Sequence, residues 1–197
     1  MPAQLFLPGM PEPAAAFAKG DDRLFLAIFP DASTATHIGH CAARWRTQYG
    51  LKGKPLATER FHVTLHHLGD YDGVPESIVR AAAMAAEAAA AATSPVEVRF
   101  DQVKSWPRSR VFVLCDQGGN ASLLDFQRRF MLELAKHRGR SPGAAQFTPH
   151  VTLLYDDHIV APELVAPVSW SVQEVVLVHS LLGKTRHIPL GRWTLQG

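Results

Sequence analysis

Two segments of this 197-residue chain repeat one pattern: Arg60-Phe-His-Val-Thr-Leu-His-His-Leu68 and Gln146-Phe-Thr-Pro-His-Val-Thr-Leu-Leu154. Each carries His-Val-Thr-Leu with a preceding Phe, whereas only about 0.05 copies of HxTL are expected by chance. A repeat of this length points to two related halves that face one another. The surrounding residues read as strands, so strand parity governs the side chains. Residues i and i+2 point the same way, roughly 6.5–7 Å apart. His62 and Thr64 then present an imidazole and a hydroxyl to one space, while Val63 and Leu65 face a core. His150 and Thr152 do the same against Val151 and Leu153. On the same parity His66 reaches the edge of the cleft and His67 points away.

The other elements follow from breakers and propensity. Arg23–Phe29 is a dense apolar run bounded by Asp21-Asp22 and Pro30-Asp31, as expected of a buried strand. Ser33 or Thr34 can cap a helix running toward Tyr49-Gly50. Strand Phe61–Leu68 closes at Gly69-Asp70. The alanine-rich stretch from Pro75 to Ala92 is a helix that Pro95 ends, and close packing is its expected purpose. Strands at Val96–Val103 and Val111–Cys115 flank a short turn that favours antiparallel pairing. A helix near Ser122–Lys136 follows, then strands at Phe147–Tyr155, Val172–His179 and the closing segment to Leu195. The order β-α-β-α-β-β-α-β-β-β describes an α+β fold, with antiparallel sheets and helices packed outside them. Residues 1–20, rich in Pro and Ala, read as a flexible arm, and 21–197 as one bilobal domain with a cleft between its lobes.

A hydrophobic fraction of 47% suits a globular core, and a net charge of +2 names no partner. Cys41 and Cys115 show no metal-ligand or disulfide spacing, so reduced thiols are expected. The start of the chain lacks the basic region of a secretory signal, and no run of about 18 apolar residues follows. A cytoplasmic monomer without membrane contact is the expectation.

The paired tetrads suit phosphodiester hydrolysis. A neutral histidine takes a proton from water while a protonated one gives a proton to the departing ribose oxygen; an unperturbed pKa of about 6.5 allows both forms. The threonine hydroxyls donate to the non-bridging oxygens. This scheme uses no metal and no cofactor, and neither tetrad lies in a DxD or HExxH setting; Asp70 and Asp156-Asp157 are placed to cap turns.

With these residues the chain resembles the two-histidine (2H) phosphoesterases, and more closely the RNA 2′,3′-cyclic phosphodiesterases, also called 2′-5′ RNA ligases. Arg23-Leu-Phe-Leu-Ala-Ile, Trp106-Pro-Arg-Ser-Arg-Val, Gly183-Lys-Thr-Arg-His-Ile-Pro-Leu and Arg192-Trp extend the likeness over nearly the whole chain after the arm. The resemblance implies a bilobal, pseudo-two-fold fold with each tetrad on a central strand. It implies hydrolysis of ribose 2′,3′-cyclic phosphates, on RNA ends or nucleotides, to 2′-phosphates, with His62 as proton donor and His150 as acceptor. Reverse 2′-5′ RNA ligation would follow from microscopic reversibility. It also places Arg110, Lys184 and Arg186 near the phosphate. Many members carry Arg two residues after the second HxTL; Tyr155 stands there in this chain, able to stack on a base, donate its hydroxyl or pack. Two other readings use the same cleft: a 2H enzyme for another cyclic phosphate such as ADP-ribose 1″,2″-cyclic phosphate, and a non-catalytic RNA-end binding module. The basic run from Arg128 to Arg140 is a candidate for steering RNA or an ordinary solvated helix end. Trp106 and Trp193 are candidates for base stacking or packing. His37, His40, His158, His179 and His187 have no repeat partner and no assignment.

Overall fold

The computed structural model describes residues 20–138 and 147–197; the Pro/Ala-rich arm and the end of the basic run, Gly139 and Arg140, lie outside them. The first strand, β1 (Asp22–Ile28), leads to helix α1 (Ala32–Gln48), a 3₁₀ turn (Thr58–Arg60) and β2 (Val63–Tyr71). Helix α2 (Glu76–Ala91), strands β3 (Val96–Trp106) and β4 (Val111–Cys115), and helix α3 (Ala121–Arg138) follow. The chain then runs through β5 (His150–Tyr155), β6 (Glu163–Val172), β7 (Glu174–Leu181) and β8 (Arg186–Thr194). All pairings are antiparallel, in two four-stranded sheets of order β2-β1-β7-β8 and β5-β4-β3-β6. This is the α+β, two-lobed architecture that the repeat implied.

Three details differ from the sequence reading. The cap of α1 is Asp31, whose carboxylate accepts the Thr34 N–H at 2.8 Å; the Ser33 and Thr34 hydroxyls donate to the same carboxylate. Strand β6 is absent from that reading, because Pro167 interrupts it. As an edge strand, paired only with β3, it tolerates proline, and Val168, Trp170 and Val172 alternate inward. Strand β2 also continues past Gly69 to Tyr71, with Gly69 at φ +147° beside an irregular register.

One core joins the lobes. The inner face of the first sheet (Leu24, Leu26, Ile28) and that of the second (Phe100, Phe112, Leu114) belong to a single buried cluster with the helices. The alanines of α2 explain themselves here. Ala81, Ala82, Ala85, Ala86, Ala89 and Ala90 are buried, and their small side chains let α2 lie close to α3, β7 and β8. Cys41 and Cys115 are free and buried. Each sheet keeps a smaller apolar patch on its opposite face: Phe25, Ala27, Val176 and Val178 on one, Val111, Val113 and Cys115 on the other. The cleft lies over these two patches.

Candidate active site

The tetrads do not occupy central strands. β2 and β5 are each at the edge of their sheet, and these two edges pack against one another across the cleft. An edge strand has a free side to give, and two such sides build a site between lobes. The loop before the 3₁₀ turn reinforces the junction. Leu56 N–H donates to the Leu153 carbonyl at 2.8 Å, and the Asp156 carboxylate accepts the Lys52 and Gly53 N–H groups, each at 2.6 Å. A side chain at Gly53 would strike the Tyr155 carbonyl, so only glycine permits this approach.

Both histidines are held in the same way. Nδ1–H of His62 donates to the Arg60 carbonyl at 2.7 Å, and Nδ1–H of His150 donates to the Thr148 carbonyl at 2.8 Å. A carbonyl oxygen only accepts, so each bond puts the ring proton on Nδ1 and leaves the Nε2 lone pair for proton transfer. Each ring also rests on an aromatic from its own lobe. Phe25 stacks on His62 with centroids 5.1 Å apart, and Trp106 lies 4.3 Å from His150. Trp106, considered above for base stacking, thus packs on a tetrad histidine, while Trp193 packs against the core.

Burial pushes both imidazoles below the ordinary value of 6.5. His62 falls to about 4, with the neighbouring His187, His150 and Arg60 adding to the desolvation; His150 is lowered by desolvation alone, which its backbone hydrogen bond opposes. In the free protein near neutral pH both rings are therefore neutral.

The strand parity holds as far as the threonines and then breaks, identically in both lobes. In β2, Ala27 pairs with Thr64 and Leu26 with His66, so Leu65 is an extra residue; in β5, Val113 pairs with Thr152 and Phe112 with Leu154, so Leu153 is extra. Each tetrad ends in a β-bulge, and a bulge shifts every later side chain by one position. The consequence corrects the reading of His66 and His67. His66 turns to the core side against Phe130, where burial pushes its pKa down to about 4, and His67 turns into the cleft. In the second lobe Leu154 is buried and Tyr155 enters the cleft, 58% exposed. His62-Thr64-His67 and His150-Thr152-Tyr155 are matching triplets.

His62, Thr64, His67, Thr152 and Tyr155 line one cavity of about 410 Å³, together with Arg23, Arg60 and His187. Among the described residues, no carboxylate lines it. Residues 30–184 match the family model described as the 2′-5′ RNA ligase superfamily. The chain belongs to that superfamily. It is 29% identical over 179 residues to the RNA 2′,3′-cyclic phosphodiesterase of Escherichia coli K12, spanning 88% of this chain and 96% of the relative. The crystal structure of E. coli LigT complexed with 3′-AMP superposes with a TM-score of 0.72 at 27% identity, over 89% of this chain and 99% of that one. TT0787 of Thermus thermophilus shares the fold, with a TM-score of 0.69, 24% identity, and coverage of 89% and 98%.

The basic residues that the resemblance placed near the phosphate are not among those that line this cavity. Arg110, at φ +52° in the turn before β4, pairs with Asp157 at 3.0 Å on the surface. Arg186 is exposed at the start of β8, and Lys184 lines a separate hollow with Asp21, Asp22 and Asp72. Arg23 and Arg60 line the cavity instead. Aligning the two repeats by their tetrads puts His67 opposite Tyr155, which is the signal that could have found it. His187 has no such signal: it lies on β8, at the opposite edge of the same sheet, and only the folded sheet brings its ring 5.2 Å from His62, edge to face. Asp156 caps its turn as expected, accepting His158 N–H at 2.8 Å, but Asp70 instead binds Arg23 and His67. No helix among the described residues is long and apolar enough to cross a membrane.

Proposed function

We propose that the chain hydrolyses ribose 2′,3′-cyclic phosphates to 2′-phosphates without a metal ion, on RNA ends or nucleotides. The observation that carries this reading is the pair of half-buried imidazoles at the start of facing edge strands, each held by its own backbone through Nδ1, with no hydrogen-bond partner at Nε2 among the described residues. His150 takes a proton from water as its oxygen bonds to phosphorus. The P–O3′ bond breaks, and His62, protonated in the substrate complex, gives its proton to O3′. The Thr64 and Thr152 hydroxyls donate to the non-bridging oxygens, where charge accumulates. The asymmetry of the two rings supports this assignment of roles. His62 sits among Arg60 and His187, so its imidazolium is the stronger acid, and the anionic substrate supplies the charge that lets it hold a proton until transfer. An adenine nucleotide suits the cleft, since LigT binds 3′-AMP and the relative of E. coli K12 carries the name of this activity. With a 5′-hydroxyl in place of water, the reverse reaction forms a 2′-5′ bond.

The test is hydrolysis of 2′,3′-cyclic AMP and of an RNA ending in a cyclic phosphate, with EDTA present. The expected result is an unchanged rate under chelation and a 2′-phosphate as product, identified by phosphorus NMR. Loss of activity on chelation overturns the metal-free reaction.

A further inference from the structure

The two guanidiniums that line the His62 cavity are in different states. Arg23 gives Nε and Nη2 to the two oxygens of Asp70, at 2.7 and 2.9 Å, so its charge is matched and its fork is occupied. His67 donates to the same carboxylate at 2.9 Å. Arg60 makes no ion pair and no side-chain hydrogen bond among the described residues, and its Nε is buried without an acceptor. A buried donor left unpaired is costly, more so on a charged group. A cation kept in that condition, in a cavity whose described lining has no carboxylate, has its acceptor supplied from outside.

We infer that Arg60 is the residue that holds the phosphate, its guanidinium taking non-bridging oxygens of the cyclic phosphate beside the two threonine hydroxyls. This rests on the reaction proposed above. The planar fork of arginine matches two phosphate oxygens at once, which an imidazole or a hydroxyl does not. The arrangement also couples charge to orientation within one residue. The main-chain carbonyl of Arg60 fixes the tautomer of His62, and its side chain carries the positive charge that a singly anionic diester requires. Arg60 ends the 3₁₀ turn Thr58–Arg60, which brings its backbone to the cleft two residues before His62. His62 meets Phe25 of β1, Phe29 after it, His187 of β8 and, across the cleft, His150 of β5; Arg60 is the permanent cation in this set.

Inorganic phosphate titrated calorimetrically into the full chain tests the assignment, with Arg60→Met and Arg60→Lys compared to wild type. The expected result is at least a tenfold weaker Kd for Arg60→Met and a smaller loss for Arg60→Lys, which keeps the charge without the fork. The pKa that the kcat/KM profile reports for His62 rises in Arg60→Met, because His62 loses a neighbouring cation. Phosphate affinity within twofold of wild type in Arg60→Met overturns the inference, as does a wild type that binds no phosphate at millimolar concentration. If Arg60→Met lowers the melting temperature, Arg60→Gln takes its place, and equal affinities in the Gln and Lys variants overturn it. Phosphate binding that depends on Arg60, in a protein that hydrolyses no cyclic phosphate, upholds this assignment while rejecting the reaction.

Discussion

The two halves of the cleft share a backbone device and differ in what surrounds it. Each tetrad has a histidine tied through Nδ1 to the carbonyl two residues earlier, a threonine beside it and a bulge at its leucine. The first histidine is enclosed by Phe25, Phe29 and His187 next to Arg60, the second by Trp106. Identical motifs thus present identical geometry, and the neighbours set the proton affinities. A symmetric site becomes a directional one through residues outside the repeat.

The largest effect expected comes from removing either ring. His62→Ala and His150→Ala each lower kcat for 2′,3′-cyclic AMP by about 10²-fold or more, because acid and base act in one step. A histidine whose loss changes kcat less than tenfold would break the pairing of the halves. The hydroxyls come next. Thr64→Val and Thr152→Val each reduce kcat/KM by roughly tenfold, the scale of one lost donor to a charged oxygen. A Thr that matters alone, its partner being silent, would show that the phosphate leans on one lobe.

The contrast in surroundings is read through pH. Both rings lie below 6.5, so kcat/KM, which reports the free protein, peaks on the acid side of that value. His187→Phe keeps a ring against His62 and removes a neighbour that acidifies it, so the pKa that the profile reports for His62 moves up by a fraction of a unit. An unmoved pKa would show that His187 adds nothing to the acidity of His62.

The smallest effect concerns stability. His66 and Leu154 are matching positions after the bulges, yet only Leu154 suits a core. The pKa of His66 is depressed to about 4 in the folded chain against 6.5 ordinarily. As pH falls from 6.5 toward 4, the unfolded chain takes up a proton that the folded one refuses, so stability is lost across that window. His66→Leu removes this loss and adds apolar burial of about 1 kcal/mol, raising Tm by about 3 °C. Thermal unfolding of both proteins at pH 5 and pH 7 checks it; a gain no larger at pH 5 than at pH 7 would mean that His66 titrates normally.

Much of the site was legible because it depends on local rules. Period-2 parity put His62 with Thr64 and His150 with Thr152, and chain breakers with residue propensity located all three helices and seven of the eight strands. The rule failed one residue past each threonine, where a bulge that no residue type announces reversed His66 and His67. It failed also for Glu163–Val172, whose proline is compatible with a strand only at a sheet edge.

By itself, then, the sequence determined the duplicated chemistry: two imidazoles and two hydroxyls, each pair on one face of a strand, within an α+β chain. Tertiary structure decided which charges join them. Arg110, Lys184 and Arg186 are absent from the cavity lining, whereas Arg60, Arg23 and His187 line it because the sheet order β2-β1-β7-β8 gathers segments distant in sequence. Parity is a property of a few consecutive residues. The field around a histidine is a sum over everything that packs against it.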